Sequence, residues 1–148
     1  MAKYGRKTMR LDTSGFETLI RKLDSLGGDV KTAAEVTLKK AGQRIQTDTH
    51  IALNNSYLPA HGKYWTGRTS KTVIDNPIVE WSGTVASIPV GFDFKKPGAG
   101  GYLISGTPKM KPDPQLRKIY KSKQYMNEIQ DLMTESMNEF IIKEMEDK

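Results

Sequence analysis

Twenty-four consecutive residues, Val30 to Leu53, carry small and aliphatic side chains at helical spacing. Ala34, Leu38, Ala41, Ile45 and Ala52 fall on one stripe, and Thr49 fills its gap. A helix of this length spans roughly 35 Å at 1.5 Å per residue. Its stripe is narrow and rich in small residues, so it calls for close packing against a sheet or a second helix. Whatever else the chain builds must cover that stripe.

The preceding segment supplies a first partner. Ser14-Gly15-Phe16-Glu17 has the spacing of a capping box, in which Ser14 and Glu17 satisfy each other's free backbone donors. Phe16, Leu19, Ile20, Leu23 and Leu26 then share a helical face, Gly27-Gly28 ends the helix, and Asp29 caps the next. Residues 1–10 hold Lys3, Arg6, Lys7 and Arg10 without an acidic residue, and read as a flexible basic arm ordered by a partner. Residues 11–148 are expected to form one domain.

Beyond Leu53 the periodicity breaks. Asn54 to Gly67 is loop-like, with Pro59, Gly62 and Gly67 as interruptions. Thr72–Ile74, Ile78–Trp81 and Thr84–Val90 are strand candidates rich in β-branched residues, with Ser82-Gly83 as a tight turn; Tyr102–Ile104 is a further short one. Asp93 to Gly101 reads as a basic, glycine-rich loop containing Lys95 and Lys96, and Thr107–Gln115 as irregular because of Pro108, Pro112 and Pro114. A last helix is expected from about Ser122 to Met145. Tyr125, Ile129, Met133, Ser136 and Phe140 mark one line on it, with Met126, Leu132, Met137 and Ile141 beside it. This wide, methionine-rich stripe suits the domain core or an adaptable contact with a neighbouring subunit, and the core is favoured. The expected fold is therefore α+β: N-terminal helices including one long helix, a small antiparallel sheet of three or four strands, and a C-terminal helix packed on it.

Composition narrows the chemistry. With 148 residues the chain is one ordinary domain. No cysteine is present, which excludes disulfides, thiolate metal sites and thiol catalysis. No run of 18 apolar residues occurs, and the basic N-terminus lacks a following apolar segment, so neither a membrane span nor a secretory signal is expected. The 23 Lys and Arg against 17 Asp and Glu give +6, a balance that suits nucleic acid or an acidic protein, and that also serves solubility.

No catalytic set stands out. His50 lies beside Asp48, but Gln46 and Asn54 occupy the positions one turn away where a second metal ligand would stand. His61 sits in a loop with no carboxylate near it in sequence, and both histidines read as surface residues. Asp75 and Glu80 loosely resemble nuclease carboxylates, yet Ser82 stands where that pattern needs lysine. Gly98-Ala99-Gly100-Gly101 lacks the Lys-Ser/Thr ending of a phosphate loop. A compact nuclease or RNase-like toxin is the least supported reading. The strongest charge signal is Lys109 to Lys123, where Lys109, Lys111, Arg117, Lys118, Lys121 and Lys123 face only Asp113, with Tyr120 and Tyr125 nearby. Such a patch fits a small basic nucleic-acid-binding protein, or an acidic protein surface.

Two segments carry a more specific signal: Thr66-Gly67-Arg68 after the long helix, and Tyr102-Leu103-Ile104-Ser105-Gly106-Thr107-Pro108-Lys109-Met110-Lys111-Pro112-Asp113-Pro114-Gln115-Leu116-Arg117 before the last one. With the Phe16-x-x-Leu19-x-x-x-Leu23 helix, these resemble the head–tail joining family of tailed bacteriophages, variously called neck, tail-completion or minor tail proteins of lambda-like phages. The order and rough spacing run from about Leu11 to Phe140. Family members usually carry an acidic and an aromatic residue where this chain has Ile104-Ser105, and an aromatic where Gln115 stands. The resemblance implies a structural virion protein at the head–tail junction, assembled in the host cytoplasm, with neither catalysis nor cofactor. It implies a homo-oligomeric ring, sixfold by analogy with tail-end rings. The partners would be head-completion or connector proteins, tail-tube or tail-terminator proteins and, non-specifically, the passing DNA. The expected contact residues are Arg6, Lys7, Arg10, Thr66, Gly67, Arg68, Lys95, Lys96, Gly106, Thr107, Lys109, Met110, Lys111 and Arg117.

Overall fold

The long stripe is covered on several sides. In a computed structural model, residues 9–55, 72–75, 77–93 and 114–147 are described. The elements run β1 (Met9–Asp12), α1 (Glu17–Ser25), α2 (Val30–Asn55), β2 (Glu80–Ser82), β3 (Val85–Val90), α3 (Pro114–Lys121) and α4 (Lys123–Glu146). This is the α+β architecture expected from the sequence. Helix α2 packs against α1, α3, α4, β1 and β3. Ala34, Leu38, Ala41, Ile45, Thr49 and Ala52 are all buried, as their spacing requires. Gly42 lies on the same stripe, and a Cβ there would stand 2.7 Å from Ile88 Cδ1, so its absence lets β3 lie close on the helix.

The three strands form one antiparallel sheet in the order β1-β3-β2. Leu11 lies opposite Ile88, and both are buried with Ala86 and Val90 on the face toward α2. The other face carries a polar ladder across all three strands: Arg10 Nη2 donates to Ser87 Oγ at 3.0 Å and to Glu80 Oε2 at 3.0 Å. Met9 and Arg10, the last two residues of the segment read as a flexible arm, are thus strand residues, while residues 1–8 lie outside the described residues. A four-residue strand is invisible on its own and gains its order only from β3, far along the chain.

Strand β2 is short for a physical reason. Thr13 N–H bonds the Ala86 carbonyl, so in β3 the N–H groups of residues 86, 88 and 90 face β1 while those of 87 and 89 face β2. Residue 89 is proline and has no N–H, so the β2 ladder stops at the Glu80–Ser87 pair. Pairing resumes at an isolated Val73–Phe92 bridge, with Ile74 N–H bonding the Gly91 carbonyl and Asp93 N–H the Thr72 carbonyl. The hairpin turn is Gly83-Thr84, one residue later than expected. Gly83 has φ +64° and Ser82 pairs with Val85, the arrangement of a two-residue turn with glycine first.

The caps also differ in detail. Glu17 reaches back to Gly15 N–H at 3.1 Å, Asp12 takes Ser14 N–H at 3.0 Å, and Phe16 is the N-cap with no side-chain bond. The expected Ser14–Glu17 reciprocity is therefore replaced by two separate bonds. At the other end Gly28 N–H bonds the Leu23 carbonyl and Gly27 N–H that of Asp24, a Schellman closure with Gly27 at φ +81°. Asp29 caps α2 through Thr32 N–H and Thr32 Oγ1, as expected.

The proline-rich segment ends sooner than expected. Pro114 and Gln115 open α3, because proline is compatible with a first helical turn. The C-terminal helical region is accordingly two helices, with Ser122 between them capping α4 through Tyr125 N–H. Tyr125, Ile129, Met133, Met137 and Ile141 of α4 are buried, which places its stripe in the core. Tyr102–Ile104 lies outside the described residues.

Candidate interaction surface

Helix α3 sorts its residues by face. Leu116 and Ile119 are buried, and Tyr120 follows them inward: its hydroxyl is 2.6 Å from Thr49 Oγ1 and its ring centroid 6.0 Å from that of Phe92. Gly91, at φ +90°, accommodates that ring, since a Cβ there would meet Tyr120 at 2.9 Å. Burial pushes the Tyr120 phenol up to about 12. The opposite face presents Pro114, Arg117, Lys118 and Lys121, all exposed and at helical spacing. Lys123 continues the patch onto α4, so residues 114–123 carry four cations and no acid.

Tyr125 is also turned inward. Its hydroxyl donates to Asp48 Oδ2 at 2.6 Å, and Arg44 Nε donates to the same oxygen at 2.8 Å. Burial, with the Asp48 carboxylate beside it, pushes this phenol well above its ordinary range. Both tyrosines next to the basic segment are thus fixed to α2 and offer no stacking platform. The cations remain available for phosphate or carboxylate groups.

Helix α4 has the opposite charge. Residues 124–147 carry seven acids, Glu128, Asp131, Glu135, Glu139, Glu144, Glu146 and Asp147, against Lys143. Glu128, Asp131, Glu135 and Glu139 are exposed along one side. Asp131, Thr134, Glu135, Asn138, Glu139 and Ile142 line a shallow concave strip there. Ile142 and Met145 are 53% and 55% exposed near its end. Glu139 meets Lys40 of α2 at 3.5 Å, both largely exposed.

The other sequence-level suspects separate. Asp75 accepts from Gln46 Nε2 at 2.7 Å and lies 3.9 Å from His50 Nε2, whereas Glu80 is held by Arg10. They do not form one carboxylate pair. The partner of His50 is a loop acid 25 positions on, which spacing within the helix could not reveal. Among the described residues no group of three or more His, Asp and Glu is placed to hold a metal ion, and no helix is long and apolar enough to cross a membrane.

Of the fourteen expected contact residues, Arg10 and Arg117 are described. Arg117 lies on the exposed face of α3, and Arg10 on the sheet face away from α2. Arg6, Lys7, Thr66, Gly67, Arg68, Lys95, Lys96, Gly106, Thr107, Lys109, Met110 and Lys111 lie outside the described residues, as does His61. The acidic side of α4 escaped the sequence reading, although its seven acids in 24 residues were there to be counted. No protein-family model matches this sequence, and searches of curated proteins and of solved structures find no match.

Proposed function

We propose that this chain is a structural protein of the bacteriophage neck, forming an oligomeric ring that joins the DNA-filled head to the tail and surrounds the DNA passage. The observation that carries the reading is the ordered set of motifs, Phe16 to Leu23, Thr66-Gly67-Arg68 and Tyr102 to Arg117, distributed over a helix, long helix, sheet, helix chain. An α+β order of this kind is what the resemblance implies. The surface suits the role: among the described residues β1 and β2 are the outer strands of the sheet, and a basic face and an acidic face stand on adjoining helices. On this reading the chain is not an enzyme, binds no cofactor, and acts with connector proteins on one side and tail-tube or tail-terminator proteins on the other. The test is electron microscopy of particles made without the protein. Full heads with detached tails are expected; intact tailed, infectious particles would overturn the proposal.

One observation favours a second reading, a nucleic-acid-binding protein. The exposed cations Arg117, Lys118, Lys121 and Lys123 could meet phosphates, and with Tyr120 and Tyr125 inward the binding would be sequence-independent and salt-sensitive. Under it, Arg117→Glu with Lys118→Glu abolishes DNA retention at low salt. No retention by the unaltered protein at low salt rejects it.

A further inference from the structure

Helix α4 is charged against its own macrodipole at both ends. Its first turn contains no acid and begins with Lys123, directly after Lys118 and Lys121 of α3. Residues 143–147 at its other end hold Glu144, Glu146 and Asp147 against Lys143. A helix N-terminus favours anions and a C-terminus cations, so side chains and backbone reinforce one dipole and each end carries an unfavourable term. Capping does not require this: Ser122 already takes the Tyr125 N–H. A segregation that costs the isolated chain stability is expected where it is relieved by a partner.

The partner that matches both signs of charge is the chain itself. The outward cations of α3 face away from the core, and the acidic strip of α4 carries Asp131 and Glu135 along the same molecule's other helix. Ile142 and Met145 add apolar surface, over which the aliphatic stems of arginine and lysine can lie. We infer that the α3 cations of one copy dock on the acidic strip of α4 in a second copy, a head-to-tail contact that repeats around an assembly. Such a contact is heterologous, and closes into a ring when the rotation per copy divides the circle. Exposed ion pairs contribute little each, so the contact is weak in a pair of copies and strengthened by closure. The inference rests on the reading that the chain assembles with itself, and adds the surface by which it does so.

Charge exchange in the full-length chain tests it, read by sedimentation of the purified protein across a salt series. The unaltered protein should self-associate at low salt and dissociate as salt rises. One variant carries Arg117→Glu, Lys118→Glu and Lys121→Glu; the other carries Asp131→Lys and Glu135→Lys. Each alone should associate at least about tenfold more weakly, because like charges then face one another. Mixed together, the two should associate again, since each supplies the sign the other lacks. A further variant, Lys123→Glu with Glu146→Lys, should raise Tm by about 1–3 °C, as it repairs both helix ends. A protein that stays monomeric at every salt concentration overturns the inference, as does association indifferent to the reversals or not restored on mixing. Failure here with detached tails in particles lacking the protein leaves the neck reading standing; association by this pair with normal particles does the reverse.

Discussion

Two tyrosines show what a residue's neighbours do to its meaning. In sequence, Tyr120 and Tyr125 flank a basic run and look like stacking partners for bases. In the fold they clamp α3 and α4 to α2, one through Thr49 and the other through Asp48. Thr49 gives its own proton to the Ile45 carbonyl at 2.7 Å, which leaves Tyr120 as the donor between them. The Tyr120 phenol, held near 12 against 10.0 in the unfolded chain, has a signed consequence. Its contribution to stability is fully present below pH 10 and lost as pH rises through 12, a loss approaching about 2–3 kcal/mol. Chemical denaturation across pH 9–13 should show that slope, and Tyr120→Phe should lessen it, leaving the part that Tyr125 contributes. Tyr125→Phe leaves Asp48 with Arg44 alone and should cost about 1–2 kcal/mol in urea unfolding. An unchanged midpoint would mean that the Asp48 bond contributes nothing.

At the scale of elements, what was legible followed periodicity. The stripe on α2, the stop at Gly27-Gly28 and the Asp29 cap all rest on contacts within a few residues, so sequence carries them. What was not legible depends on distant partners or on a single exception. Met9–Asp12 becomes a strand only because Val85–Val90 pairs with it. Pro114 looked like a breaker and is a first-turn proline. Of the contact surface, the cations of α3 could be read in advance, but not that Leu116, Ile119 and Tyr120 turn their face of the helix inward. Gly42 offers the sharpest test of element packing. In a free helix Gly→Ala stabilises by roughly 1 kcal/mol. Here the added methyl would press on Ile88 Cδ1 at 2.7 Å, so Gly42→Ala should destabilise. With Ile88→Val, which removes that methyl, Gly42→Ala should turn stabilising by about 0.5–1 kcal/mol. Thermal unfolding of the four proteins in this cycle decides the sign.

For the whole molecule, α2 is the member that every packed layer shares. Thr37 on α2 and Ser136 on α4 bond each other at 2.9 Å inside the core, across 99 residues of chain. Buried hydroxyls that satisfy only each other make the pair interdependent. Ser136→Ala should cost about 1–2 kcal/mol by stranding Thr37, and adding Thr37→Val should recover part of that loss in equilibrium unfolding. Amides at the middle of α2 should exchange with solvent only through global unfolding, while those of α1, which has fewer neighbours, should open earlier. Amide exchange followed residue by residue distinguishes the two.

The central place of α2 also bears on how the chain folds in time. Its stripe is synthesised before α4, which covers one side of it and comes roughly a hundred residues later. Until then Leu38, Ala41 and Ile45 have only β1 and α1 nearby in sequence, and most of the contacts that reward their ordering are non-local. Closing so long a loop before any gain slows folding. A nascent chain therefore passes through a period with an exposed apolar rod, when a chaperone or a second nascent copy has access to it.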